Sequence, residues 1–145
     1  MFVAMLIVAG VGGAGISVKT YGKYVAIRKI QKAGGRVHMR PRPSDGVGPM
    51  IEDDWMSIFA DVDVVYFGVI DNFTDDCLAE IAPQLRTLGT IELLVLDYTD
   101  VTDGGLSHLK EMTNLKTLAL ASRRVTDAGA ADLKRALPQL SINRN

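Results

Sequence analysis

The residues whose types and spacing could do chemistry are few. Gly10-Val11-Gly12-Gly13-Ala14-Gly15 follows the apolar run VAMLIVA and matches G-x-G-x-x-G at Gly10, Gly12 and Gly15. Glycines so placed let a pyrophosphate approach the backbone at a helix amino terminus. A helical stretch over 16–33 and a strand-like RVHM at 36–39 complete the outline of a dinucleotide-binding unit. The outline breaks at His38, Met39 and Arg40, which stand where an acidic residue would hold a ribose. Ser107 and His108 supply a nucleophile and a base, but neighbouring helix residues do not face each other. Cys77 has the character of a small packing residue. His38 has no second ligand spaced to share a metal. Glu52, Asp53 and Asp54 form the acidic first turn of a short helix carrying Trp55, Met56, Ile58 and Phe59, favourably placed on the helix dipole. These residues predict a chain without catalysis, metal or cofactor.

The elements that must position them follow from composition and pattern. The chain has 145 residues, 48% of them hydrophobic, a net charge of −1 and a mean hydropathy of +0.15. Those values exclude a disordered or wholly nucleic-acid-coated chain and leave room for one compact unit. A single cysteine excludes an internal disulfide framework. Charge is unevenly distributed, because residues 1–49 carry eight basic side chains against Asp45 alone.

From Phe2 to Val18 there are 17 consecutive uncharged residues, at the lower edge of the roughly 17 to 25 that cross a bilayer as a helix. Lys19, Tyr21, Lys23 and Tyr24 follow as interface anchors. Ala9 with Gly13, and Gly10 with Ala14, form small-xxx-small pairs for packing against another transmembrane helix. The basic flank after the stretch predicts a single-pass membrane protein with its carboxyl-terminal domain in the cytoplasm. A cleaved signal peptide competes for the same residues but lacks a positive n-region.

Tyr24, Ile27, Ile30 and Ala33 recur at spacings of three, one apolar stripe on a cationic helix that Gly34-Gly35 ends. Pro41 to Pro49 reads as a loop, and VDVVYFGVI over 62–70 as a buried strand.

From Ile91 the chain overlays itself with a shift of 24. Ile91, Leu94, Leu96, Val101, Leu106, Leu109 and Met112 fall on Leu115, Leu118, Leu120, Val125, Ala130, Leu133 and Ala136. A weaker copy, Phe73-Thr74-Asp75-Asp76-Cys77-Leu78, has Cys77 where the others have glycine, and Leu140-Ser141-Ile142 is a partial last one. Alternate leucines face a core from a strand, and Thr102-Asp103 and Thr126-Asp127 stand where a helix needs its amino cap.

These motifs resemble the leucine-rich repeat family in its T-x-V-T-D-x-G-L subtype. The chain is also similar to small bacterial proteins in which a membrane helix and a basic helix ending in Gly-Gly precede a few such repeats. The resemblance implies an α/β fold, a short solenoid of parallel strands backed by helices, preceded by a transmembrane helix and a helical cap. The segments are then an anchor over 1–18, a basic helix, loop and cap over 19–61, and a repeat domain over 62–145. It also implies a non-catalytic protein-interaction module or accessory subunit of an integral membrane complex, its partner meeting the concave face at Glu92, Leu93, Val95, Asp97, Lys116, Thr117 and Ala119. A dinucleotide-binding protein using Gly10 to Gly15 is the competing reading. Nucleic acid is the weaker partner, because no aromatic-interleaved motif accompanies the basic residues.

Overall fold

The computed structural model describes residues 18–40, 61–68 and 73–144. The first described helix, α1 (Val18–Lys32), buries Ala26, Ile27 and Ile30 and exposes Arg28, Lys29, Gln31 and Lys32. It ends where the paired glycines predict. Gly34 is left-handed at φ 85°, its N–H donates to Gln31 O, and Gly35 N–H donates to Ile30 O at 2.9 Å. This 6→1 and 5→2 pattern satisfies the last carbonyls of the helix.

The strand β1 (Arg36–Arg40) follows, and then β2 (Asp61–Tyr66), β3 (Leu93–Val95), β4 (Thr117–Ala119) and β5 (Ser141–Asn143). They form one sheet in the order β1-β2-β3-β4-β5. β1 runs antiparallel to β2, whereas all the later pairs are parallel. Helices α2 (Asp75–Leu88), α3 (Asp103–Leu106, continued by a 3-10 turn over Ser107–Leu109) and α4 (Asp127–Ala136) connect the parallel strands. The helices pack in the order α1, α2, α3, α4.

The 24-residue period is the register of the sheet, since Leu93 pairs with Thr117 and Thr117 with Ser141. Leu94, Leu96, Val101, Leu106, Leu109, Leu115, Leu118, Leu120 and Leu133 are all buried, as the overlay predicts. Ala136 is exposed, and Leu137 fills the core beside it. In the first strand the period is longer by several residues. Tyr66 pairs with Val95, so Phe67, fully buried and stacked on Phe73 with ring centroids 4.7 Å apart, takes the place opposite Leu96 that an ungapped overlay assigns to Gly68.

Two expectations are corrected. The described residues do not form a leucine-rich-repeat solenoid. They form a mixed α/β fold, with a five-stranded sheet and four α-helices, and no solenoid is evident. The physical reason lies in the core. Two good repeat copies cannot bury their own apolar faces. Ala26, Ile27, Ile30, Val62, Val65, Phe67 and Phe73, all outside those copies, join the repeat leucines in one continuous cluster. The single-pass membrane localisation is also overturned for every described helix, because none is long and apolar enough to cross a membrane. The helix after the apolar stretch packs its Ile27 and Ile30 into the domain core. The stretch 1–17, with the packing residues Ala9, Gly10, Gly13 and Ala14 and the glycine motif, lies outside the described residues, as does the helix expected around Trp55.

Candidate functional site

The sheet has two unlike faces because strand side chains alternate. Val65, Leu94 and Leu118 point into the core. On the other face, the ladder aligns His38, Val64, Leu93, Thr117 and Ser141 in one row, and Arg36, Tyr66, Val95, Ala119 and Asn143 in the next. Five strands at roughly 4.8 Å spacing make each row about 19 Å long. Val64, Leu93, Thr117 and Ala119 are half-buried, Val95 is 7% exposed and Tyr66 is 40% exposed. Among the described residues no helix lies across this face.

One end of the rows carries a charge cluster. The register slips between His38 and Met39, which pair with Val64 and Val62, so Asp63 is the extra residue of a bulge. A bulge re-aims side chains, and here Asp63 meets the exposed face of β1. Its Oδ1 is 2.9 Å from His38 Nδ1, and its Oδ2 accepts from Arg40 NH2 at 2.9 Å. Burial raises the Asp63 pKa. The hydrogen bond to His38, a backbone N–H and the positive charges of His38 and Arg40 outweigh it and hold the carboxyl below its usual 3.8. Asp63 is thus an ionised, enclosed anchor, while the His38 and Arg40 side chains are 71% and 63% exposed. A hollow of about 410 Å³ lies beside them, lined by Arg36, Val37, His38, Asp63, Val64 and Tyr66.

An imidazole oriented by a carboxylate is one part of a nucleophilic relay. Among the described residues no hydroxyl or thiol is hydrogen-bonded to His38, whose Nδ1 faces Asp63. In the sequence His38 stands as an isolated residue. The available signal was the alternation Arg36-x-His38-x-Arg40 beside an aspartate inside the apolar run VDVVY.

The most repeated polar motif is consumed by the fold. Thr102 Oγ1 accepts from Gly104 N–H and Thr126 Oγ1 from Gly129 N–H, each at 3.2 Å, as amino caps should. Each threonine is also held by the aspartate of the preceding sequence copy. Asp75 accepts from Thr102 N–H at 2.7 Å and Thr102 Oγ1 at 2.5 Å, and Asp103 accepts from Thr126 N–H at 2.8 Å and Thr126 Oγ1 at 2.6 Å. The glycines at 105 and 129 make room for those carboxylates, since a Cβ at either would overlap the aspartate. Cys77 stands at the corresponding position in the first copy, half-buried beside Thr74, whose Oγ1 donates to its Sγ at 3.8 Å. Asp127, last in the series, pairs with Arg144 instead.

The other predicted residues divide. Leu93, Val95, Thr117 and Ala119 lie in the rows of the open face. Glu92 and Lys116 form an ion pair at 2.9 Å beside them. Asp97 accepts from Ala121 N–H at 2.9 Å and so ties two loops together. Ser107 Oγ donates to Gly104 O, and Ser107 and His108 are both exposed. No group of three or more His, Cys, Asp or Glu among the described residues is arranged to hold a metal ion. No protein-family model matches the chain, and no curated protein sequence matches it.

Proposed function

We propose that the chain is a non-catalytic protein-interaction module whose open sheet face receives a segment of a partner protein. One observation carries this reading. The two lateral rows place half-buried Val64, Leu93 and Ala119 and the exposed Tyr66 ring together, with charges at their β1 end and no described helix over them. An apolar centre with an aromatic anchor and a polar rim is the anatomy of a contact site. The cluster of Asp63, His38 and Arg40 at one end and the pair of Glu92 and Lys116 beside the centre form that rim. The polar groups of the T-D-x-G motif are engaged in holding one loop to the next and do not offer a second site. Among the described elements, β1 lies at the sheet edge antiparallel to β2, which adds nothing to a dinucleotide-binding reading.

The test is a photo-crosslinking amino acid placed at Leu93, at Thr117 and, as a control on the helix layer, at Lys134. A partner captured through positions 93 and 117 but not 134, and lost on Leu93→Arg with the unfolding midpoint unchanged, is the expected outcome. Equal capture from both faces, or none from the sheet face, would refute the proposal.

A further inference from the structure

We infer that the outer edge of β1, unpaired among the described strands, accepts an extended, acidic segment of another protein as a sixth strand of the sheet. The inference rests on the interaction-module reading and specifies its partner. β1 is one outer strand in the sheet order, so its outer edge presents backbone donors and acceptors that no described strand pairs. An added strand takes its affinity from main-chain hydrogen bonds and its specificity from alternate side chains.

On the open face those side chains of β1 are two arginines and a histidine. Arg36, His38 and Arg40 are exposed on the open face, while Val37 and Met39 are half-buried and packed against the core. The helix α1 packs beside β1, and residues 18–40 contain seven lysines and arginines with no aspartate or glutamate. Two carboxylates face this group: Asp61 pairs with Lys23 at 3.0 Å and Asp63 is engaged by both His38 and Arg40, while Arg36 has neither as a partner. A strand lying next to β1 places its own side chains roughly 5 Å from those of Arg36, His38 and Arg40. Carboxylates at every second position, with apolar residues between them over Val37 and Met39, therefore match both faces.

A second copy of the chain is the wrong occupant. Antiparallel pairing of β1 with itself sets arginine against arginine, and a basic edge of this kind discourages self-association. The opposite edge, β5, is three residues long and carries no charge, so it lacks the same signature.

The experiment uses the full chain and a capped peptide of alternating glutamate and valine. Controls are its lysine–valine counterpart, the glutamate–valine peptide N-methylated at alternate residues, and a short single-stranded DNA. Amide hydrogen exchange of 36–40 is followed with binding measured by anisotropy. The inference expects the glutamate peptide to protect 36–40 and to weaken as salt rises from about 20 mM to about 500 mM, where the Debye length falls from about 20 Å to about 4 Å. It expects Arg36→Glu to weaken binding about ten-fold, and N-methylation to abolish it. Equal binding of the N-methylated peptide reduces the effect to charge alone and overturns the inference. So does preferential binding of DNA, or an absence of protection at 36–40. Crosslinking through Leu93 that persists in Arg36→Glu, together with any of those results, would leave the open-face reading standing while the edge-strand partner falls.

Discussion

Replacing Gly129 with alanine should destabilise the protein, although alanine is the better helix former. Gly129 lies in the first turn of α4, and the three nearest atoms to a Cβ built there all belong to Asp103. The Asp103 carboxylate must swing away. It then loses its hydrogen bonds from Thr126 N–H at 2.8 Å and Thr126 Oγ1 at 2.6 Å. Bonds to a charged acceptor contribute about 1.5 to 3 kcal/mol each when enclosed, but these face solvent, so about 1 kcal/mol each is appropriate. The helix-propensity gain of alanine over glycine offsets up to about 1 kcal/mol. The net cost is then about 1 to 1.5 kcal/mol. Asp103→Gly removes both the obstacle and the bonds, so adding Gly129→Ala in that background should be neutral or stabilising by about 0.5 kcal/mol. The coupling between the two sites should be about 2 kcal/mol, read from urea unfolding of the four chains by far-ultraviolet circular dichroism. If Gly129→Ala costs the same in both backgrounds, or stabilises the chain with Asp103 present, the explanation of the T-D-x-G spacing is wrong.

Two further perturbations test other parts of the structure. Asp63→Asn removes a carboxyl held below its usual 3.8, so the unfolded chain takes up that proton more readily than the folded one. Its stabilising contribution is complete above about pH 5 and is lost progressively as pH falls through 3.8 and then the lower native value. Stability curves of the original chain and the Asn variant should converge in acid, and parallel curves down to about pH 2 would contradict the assigned charge cluster. Gly35→Ala should destabilise by about 1 to 3 kcal/mol, because its Cβ would sit 2.5 Å from Phe67 Cε1 and 2.7 Å from Ile30 Cγ2, inside the packed end of α1. An unchanged thermal midpoint would show that this corner of the core is loose.

Much of the local structure was legible in the chain. The end of α1 at Gly34-Gly35, the strand at RVHM, the caps at Thr102 and Thr126 and the buried leucines of β3 and β4 all follow from neighbours a few residues apart. The half-buried face positions Leu93, Thr117 and Ala119 follow from the same alternation, whereas Val95 on that face is buried. Architecture was read too far from the same repeats. A period of 24 sets the register of three parallel strands, but it does not say whether the strands stack as a solenoid or close against other elements. The apolar stripe of Tyr24, Ile27, Ile30 and Ala33, by contrast, does mark the face by which α1 caps the domain, and Ile27 and Ile30 lie in its core.

The amino-acid order alone settled the capping, the alternation and the repeat spacing, because each depends on hydrogen bonds and side-chain directions within one turn or one strand. Only the tertiary structure decided that β1 lies antiparallel at the sheet edge, that a bulge aims Asp63 at His38 and Arg40, and that the glycines at 105 and 129 leave space for Asp75 and Asp103. Those relations join residues more than 20 positions apart. They depend on which surfaces are brought together to bury the core, a choice that no local pattern encodes.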